Sequence, residues 1–374
     1  MIPDAKIIYA QSRDIKSRTY LEYRRDMKQK AIAELEVLPW LKEQIRKLDS
    51  KASVEKSGAD KFIWFLRRGG LTGKPDFIVK YENKKEEYIE FQYAKEELKA
   101  YDFKISKIAP KDRKLKKRVP KKDTKILYII KPAEEFAILE PSWIMKHSKQ
   151  TVAPAWGNTP VFRVPKEKLK EVLKKDKKLN LLCKLIDKKN YILDFQHKVI
   201  EIEKEKCAYL LEQVLDKEKV LKIIPKTLDG FFKVCFILSH LQKVPANASL
   251  WLIYLLSFLN QKLNSYKIFQ IVYSLDFLYS KFDLKNNEIN KLVEGINFLY
   301  KKLQQFSKTD GSFQSSKTIA PLEDTRYVLF TINIIEDLTQ DILFYYGNSM
   351  GWKPIHKIYQ TIPQVDKTFE FIKK

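Results

Sequence analysis

The stretch from Pro75 to Ala94 leaves the chain few choices. Phe77, Val79 and Tyr81 alternate with Asp76, Ile78 and Lys80, and the polar run Glu82-Asn83-Lys84-Lys85-Glu86 follows. Ile89, Phe91 and Tyr93 then alternate with Tyr88, Glu90 and Gln92. A two-residue period on both sides of a polar turn predicts a β-hairpin. Because side chains on a strand repeat every second residue, Glu90 and Gln92 share a face. Closing the hairpin brings Asp76 within about two positions of Glu90. Carboxylates gathered in this way repel each other unless a cation sits between them, and hard oxygen donors suit Mg²⁺. The competing reading is a solvated acidic face on a lysine-rich hairpin.

The flanking sequence predicts further elements. Residues 17–48 read as one long helix or two, with Met27, Ala31, Leu35, Leu38, Leu41, Ile45 and Leu48 on the apolar face and Pro39 as a kink or divider. Glu34 falls on the inward side of that helix, whereas Glu36 points elsewhere. Lys61–Arg68 reads as a first strand, with Gly69, Gly70 and Gly73 forming a turn into the hairpin. Residues 94–106 are expected to be a helix with Leu98, Tyr101 and Ile105 on one side. Lys125–Lys131 reads as a buried strand, Pro141–Met145 as a short helix and Thr159–Pro165 as a last strand. From Lys166 to Lys189 a lysine-rich amphipathic helix marks a boundary. Beyond it the pattern is helical, with Phe231–Leu241, Leu250–Leu263, Tyr266–Phe282, Glu288–Phe306 and Val328–Tyr346 as long apolar segments.

Charge separates the two halves. The net charge is +24; residues 1–190 carry about +20 of it and residues 191–374 about +4. Lys107–Lys125 contains ten lysines or arginines against two aspartates, too polar to pack, and reads as a loop or arm. A cationic surface around an acidic pocket suits a polyanion, whose phosphates lysines attract without regard to sequence. Host composition or simple solubility would also raise the lysine content. Cys183, Cys207 and Cys235 are scattered and odd in number, which argues for buried thiols over a disulfide framework or a zinc site. The four histidines lack ligand spacing, and no phosphate loop or Ser/His/Asp set can be assembled. The longest apolar run, Leu250–Leu259, is too short for a bilayer, so a soluble cytoplasmic protein without membrane association is expected.

Pro75-Asp76, a spacer of about a dozen residues and Glu90-Phe91-Gln92 resemble the motif of the PD-(D/E)XK nucleases, the restriction-endonuclease-like superfamily. Gln92 stands where that family has lysine, and some of its restriction enzymes carry Glu-x-Gln. The resemblance covers roughly residues 17–165. It implies an α/β restriction-endonuclease-like core, a mixed sheet flanked by helices, over residues 1–189. An all-α C-terminal domain over 190–374 would then serve dimerisation, specificity or partner docking.

The resemblance further implies a Mg²⁺-dependent endonuclease acting on duplex DNA, of type II restriction kind and homodimeric. Asp76 and Glu90 would be its metal ligands, Glu34 an acidic contributor from the first helix, and Gln92 the group orienting water. Glu34 reads equally well as a boundary glutamate held by a lysine. Arg67, Arg68, Lys74, Lys111, Arg113, Lys114, Lys116, Lys117 and Arg118 are the candidate DNA contacts, and Lys80 or Lys74 the candidates for the cation that Gln92 does not provide. The alternatives are a repair or structure-specific nuclease of the same fold, or an inactive DNA-binding or complex-forming protein.

Overall fold

The computed structural model describes residues 20–57, 75–83, 85–94, 96–109, 122–131, 134–154, 158–214, 224–240, 245, 248–279, 286–350 and 365–374. The chain divides into two compact units, Met1–Asp187 and Lys188–Lys374. The first combines a mixed sheet with helices, and the second is helical.

The first unit opens with α1 (Tyr20–Leu48) and β1 (Ser53–Lys56), followed by β2 (Phe77–Lys80), β3 (Glu86–Ala94) and β4 (Ala100–Lys104). After α2 (Ile105–Ile108) come β5 (Thr124–Ile130), β6 (Glu135–Leu139), α3 (Pro141–Lys146), β7 (Lys149–Ala153) and β8 (Thr159–Pro165). The last elements are α4 (Lys166–Lys170), β9 (Lys174–Lys175) and the start of α5 (Lys178–Val214). Six strands form one sheet in the order β1-β2-β3-β5-β6-β9, and β4-β8-β7 form a second. In the larger sheet β3 and β5 are parallel and every other pair is antiparallel.

The hairpin register follows from its alternation. Phe77 pairs with Ile89 and Val79 with Glu87. Phe77, Val79, Ile89 and Phe91 pack with Leu127 and Ile129 of β5 against Val37, Trp40, Leu41 and Ile45 of α1. On the other face Ala94, Ile126, Tyr128 and Ile130 meet Tyr101 and Phe103 of β4, Ile105 and Ile108 of α2, Ile144 of α3 and Phe162 and Val164 of β8. Buried on both faces, β5 reads as an unbroken apolar run, as interior strands do.

Several expectations are corrected. The helix foreseen over 94–106 is instead β4 followed by the short α2. Tyr101 and Phe103 are buried with half-exposed Asp102 between them, so period two wins. Asp102 also receives two hydrogen bonds of 2.7 Å from Arg163, directly opposite on β8, which fixes this pair of strands. The single helix over 166–189 is divided into α4, β9 and α5. Pro39 does not divide α1, and Leu35 and Leu48 are exposed, because the buried stripe follows Ala33, Val37, Trp40, Leu41 and Ile45. Strands β1, β6, β7 and β9 were not foreseen; each is short or polar enough to lack a clear pattern. The expected strand over 61–68, with Arg67, Arg68 and Lys74, lies outside the described residues.

In the second unit α6 (Leu228–His240), α7 (Ala248–Ser257), α8 (Ser265–Tyr279), α9 (Asn286–Gln304), α10 (Pro321–Met350) and α11 (Val365–Lys373) follow α5. Helix α8 is buried nearly all round and packs on α6, α7 and α10, as expected of a helix apolar on every face. Trp251, Phe258, Phe277, Tyr279 and Tyr300 are core residues, whereas Phe298 is exposed. Glu203, Asp324 and Asp337 are charged groups buried here. The Glu203 carboxylate accepts hydrogen bonds from Tyr327 (2.8 Å), Lys206 (3.0 Å) and Tyr266 (3.3 Å), and the Lys206 ammonium lies 5.0 Å from the centre of the Tyr266 ring. These contacts replace the hydration that burial removes. All three cysteines are free and buried. Among the described residues no helix is long and apolar enough to cross a membrane.

Two outcomes follow from this packing. Gly311 has φ +88°, and a Cβ there would stand 2.4 Å from the backbone of Lys367 and Thr368 on α11. Gly311→Ala should therefore destabilise the second unit by about 2–4 kcal/mol, and thermal denaturation with hydrogen exchange over Val365–Lys373 would register the loss.

In the first unit, burial alone would push Glu87 up. Hydrogen bonds from Lys125, Lys85 and Tyr81 outweigh it and hold the carboxyl at about 2, below the ordinary 4.5. The folded form thus gains stability above the ordinary value and loses it as pH falls from about 4.5 towards 2. Glu87→Gln should flatten that acid limb in melting temperatures measured across this range.

Candidate active site

Three carboxylates come together where α1 meets the β2–β3 hairpin. Register explains the first two. Pairing of β2 with β3 starts at Phe77 opposite Ile89, so one further step sets Asp76 opposite Glu90. Where β2 ends, the N–H of Phe91 lacks a strand partner on that side, and the Asp76 carboxylate takes it instead, at 2.7 Å through Oδ2. The Asp76 carbonyl accepts the Ser57 N–H at 3.1 Å, and the Ser57 hydroxyl donates to the Pro75 carbonyl at 2.9 Å. Asp76 is thereby pinned by β3 on one side and by the residue following β1 on the other.

Glu34 arrives from α1. It occupies the buried stripe one residue after Ala33 and is fully buried, as nearly are Asp76 and Glu90. Unpaired buried carboxylates would be very costly, and three lysines meet them. Lys30, one turn before Glu34, lies 3.1 Å from Asp76 Oδ1 and 3.4 Å from Glu34 Oε1. Lys56, the last residue of β1, lies 2.9 Å from Glu34 Oε2. Lys107 of α2 pairs with Glu90 Oε2. Neither Glu34 oxygen has a well-directed hydrogen bond among the described residues; the two ammonium groups compensate its charge without satisfying its lone pairs.

The electrostatics agree with this closeness. Burial pushes the Glu34 carboxyl up, the Asp76 carboxylate pushes it further, and Lys56 and Lys30 pull it down by less. Burial by itself would lower the Lys107 ammonium. The carboxylates of Asp76, Glu90 and Glu34 together hold it above its ordinary value. Lys107 thus senses all three acids, although it touches one.

Of the residues singled out in the sequence, Asp76, Glu90 and Glu34 are brought together. Gln92 lies two residues along β3 on the face of Glu90, half-buried, with its Cα opposite Tyr128 of β5 and no side-chain partner among the described residues. Lys80 sits at the far end of β2 and pairs with Glu55 at 2.7 Å, so it does not supply the missing cation. Arg67, Arg68, Lys74, Lys111, Arg113, Lys114, Lys116, Lys117 and Arg118 lie outside the described residues. Lys30 and Lys56 escaped the sequence reading, and Lys107, expected at the start of a loop or arm, lies instead in α2. Lys30 is spaced one helical turn from Glu34 and could have been found; Lys56 and Lys107 depend on β1 and α2, which carry weak local signals.

Among the described residues no group of three or more His, Cys, Asp or Glu side chains is arranged as a metal-binding cluster. The donors nevertheless fit Mg²⁺ in kind. They are hard carboxylate oxygens, and Mg²⁺ often takes only one or two protein carboxylates and completes its shell with water and phosphate. Comparison with family models, with curated proteins and with solved structures found no match.

Asp76→Ala would strand the buried Phe91 N–H and leave Lys30 short of one partner, and should destabilise the first unit by about 2–4 kcal/mol. Asp76→Asn keeps an oxygen for Phe91 and should lose less than half as much in urea denaturation.

Proposed function

We propose that the chain is a Mg²⁺-dependent endonuclease of the restriction-endonuclease-like kind, hydrolysing phosphodiester bonds of duplex DNA as a homodimer. The observation carrying this reading is the convergence of Asp76, Glu90 and Glu34 where α1 meets the β2–β3 hairpin of a mixed sheet. The motif suggested the first two; their burial and shared lysines support a built site over a solvated acidic face. Asp76 and Glu90 would hold Mg²⁺, which when bound polarises a phosphate oxygen and acidifies a water.

The remaining work falls to the chain. The Phe91 N–H fixes the orientation of Asp76, and Glu34 adds negative charge that favours a cation over a bare phosphate. Gln92 can accept a hydrogen bond from a water and donate one, but cannot take its proton as a base at neutral pH. The excess positive charge of the N-terminal half would draw the polyanion towards this region.

One observation favours a second reading, a non-catalytic DNA-binding or complex-forming protein: each carboxylate is already paired with a lysine. Incubation of the purified chain with plasmid and Mg²⁺ distinguishes them. Discrete fragments are expected for a restriction enzyme, and branch-directed or single-strand cuts would indicate a repair nuclease. Absence of cleavage together with salt-sensitive binding would establish the non-catalytic form. Asp76→Asn and Glu90→Gln should each reduce single-turnover cleavage by at least about a hundredfold while leaving DNA affinity within a few-fold.

A further inference from the structure

The three lysines at the carboxylates are not equivalent. Lys30 bridges two acids, and Lys56 reaches Glu34 with a side chain that is only 16% exposed. Lys107 pairs with Glu90 while 38% exposed, the most open of the three. Its short helix is held in place by buried Ile105 and Ile108 on either side of it, so the backbone is fixed and the long stem is free to swing. Gln92 offers no charge, and Lys80 is committed to Glu55.

We propose that Lys107 is the phosphate-contacting residue of this site. In the free protein its ammonium neutralises Glu90. When a divalent cation takes over the Glu90 carboxylate, the ammonium is released to donate a hydrogen bond to a phosphodiester oxygen of bound nucleic acid. It remains protonated throughout, and no covalent bond is made or broken in the exchange. A cation that both competes for a ligand and rewards arrival of the substrate couples metal binding to phosphate binding, since each occupant frees the group that the other engages.

The inference rests on the phosphodiesterase reading, yet its test uses binding rather than turnover. Fluorescence anisotropy of a short duplex would be measured with the whole protein in Ca²⁺ and in EDTA, for wild type, Lys107→Met and Lys107→Arg. Lys107→Met should weaken binding in Ca²⁺ by about tenfold, the effect of losing one charge-assisted hydrogen bond. It should leave binding in EDTA within about twofold, and Lys107→Arg should recover most of the loss. A cooperative melting transition above the assay temperature would show that each variant is folded, even where loss of the Lys107–Glu90 pair lowers the midpoint. Equal losses in both conditions, no loss in either, or wild-type binding indifferent to Ca²⁺ would each overturn the proposal. Absence of cleavage in Mg²⁺ with this Ca²⁺-dependent pattern intact would remove hydrolysis and keep the contact.

Discussion

A buried carboxylate must be given charge and hydrogen bonds by the protein, and three of them at one place set the strictest demand in the first unit. Glu34, Asp76 and Glu90 meet it with ammonium groups from three elements and one backbone amide. Each partner fixes something larger than itself. The Phe91 amide ties the start of β2 to β3, Lys56 ties β1 to α1, and Lys107 ties α2 to the sheet. An apolar cluster of the same size would hold these elements together with less desolvation.

The second unit handles buried charge differently. Glu203 is surrounded by two tyrosine hydroxyls and one lysine, and its lone pairs are met by well-directed donors. The network fastens α5, α8 and α10 together. Glu34 is the contrast: its charge is balanced, yet both oxygens lack directed hydrogen bonds among the described residues. The two units thus compensate a buried acid in different ways, one with directed hydrogen bonds and the other chiefly with neighbouring ammonium charge.

Among the described residues, the three acids are met by three lysines. Under the proposed function, a divalent ion would displace ammonium groups there and a phosphate would have use for them, which would link the lysine-rich N-terminal half to the acidic motif.

The alternation from Phe77 to Tyr93 determined the hairpin and which residues share a face, and it placed Asp76 within about two positions of Glu90. The fold then fixed the exact register, with Phe77 opposite Ile89. The helical character of the second half was equally plain, since its apolar runs are long. The sequence pattern misjudged residues 100–104, where five residues of strand resemble a turn and a half of helix until β8 is seen to pair with them. Whether Glu34 faced the other carboxylates or a lysine could not be chosen from spacing; in the fold it is paired with Lys30 and Lys56, and Lys30 also reaches Asp76. Only the tertiary structure brought Lys56 and Lys107 to the carboxylates, because long-range ion pairs leave no local period: their partners lie on elements distant in sequence, and charge compensation is decided by which side chains share a desolvated volume.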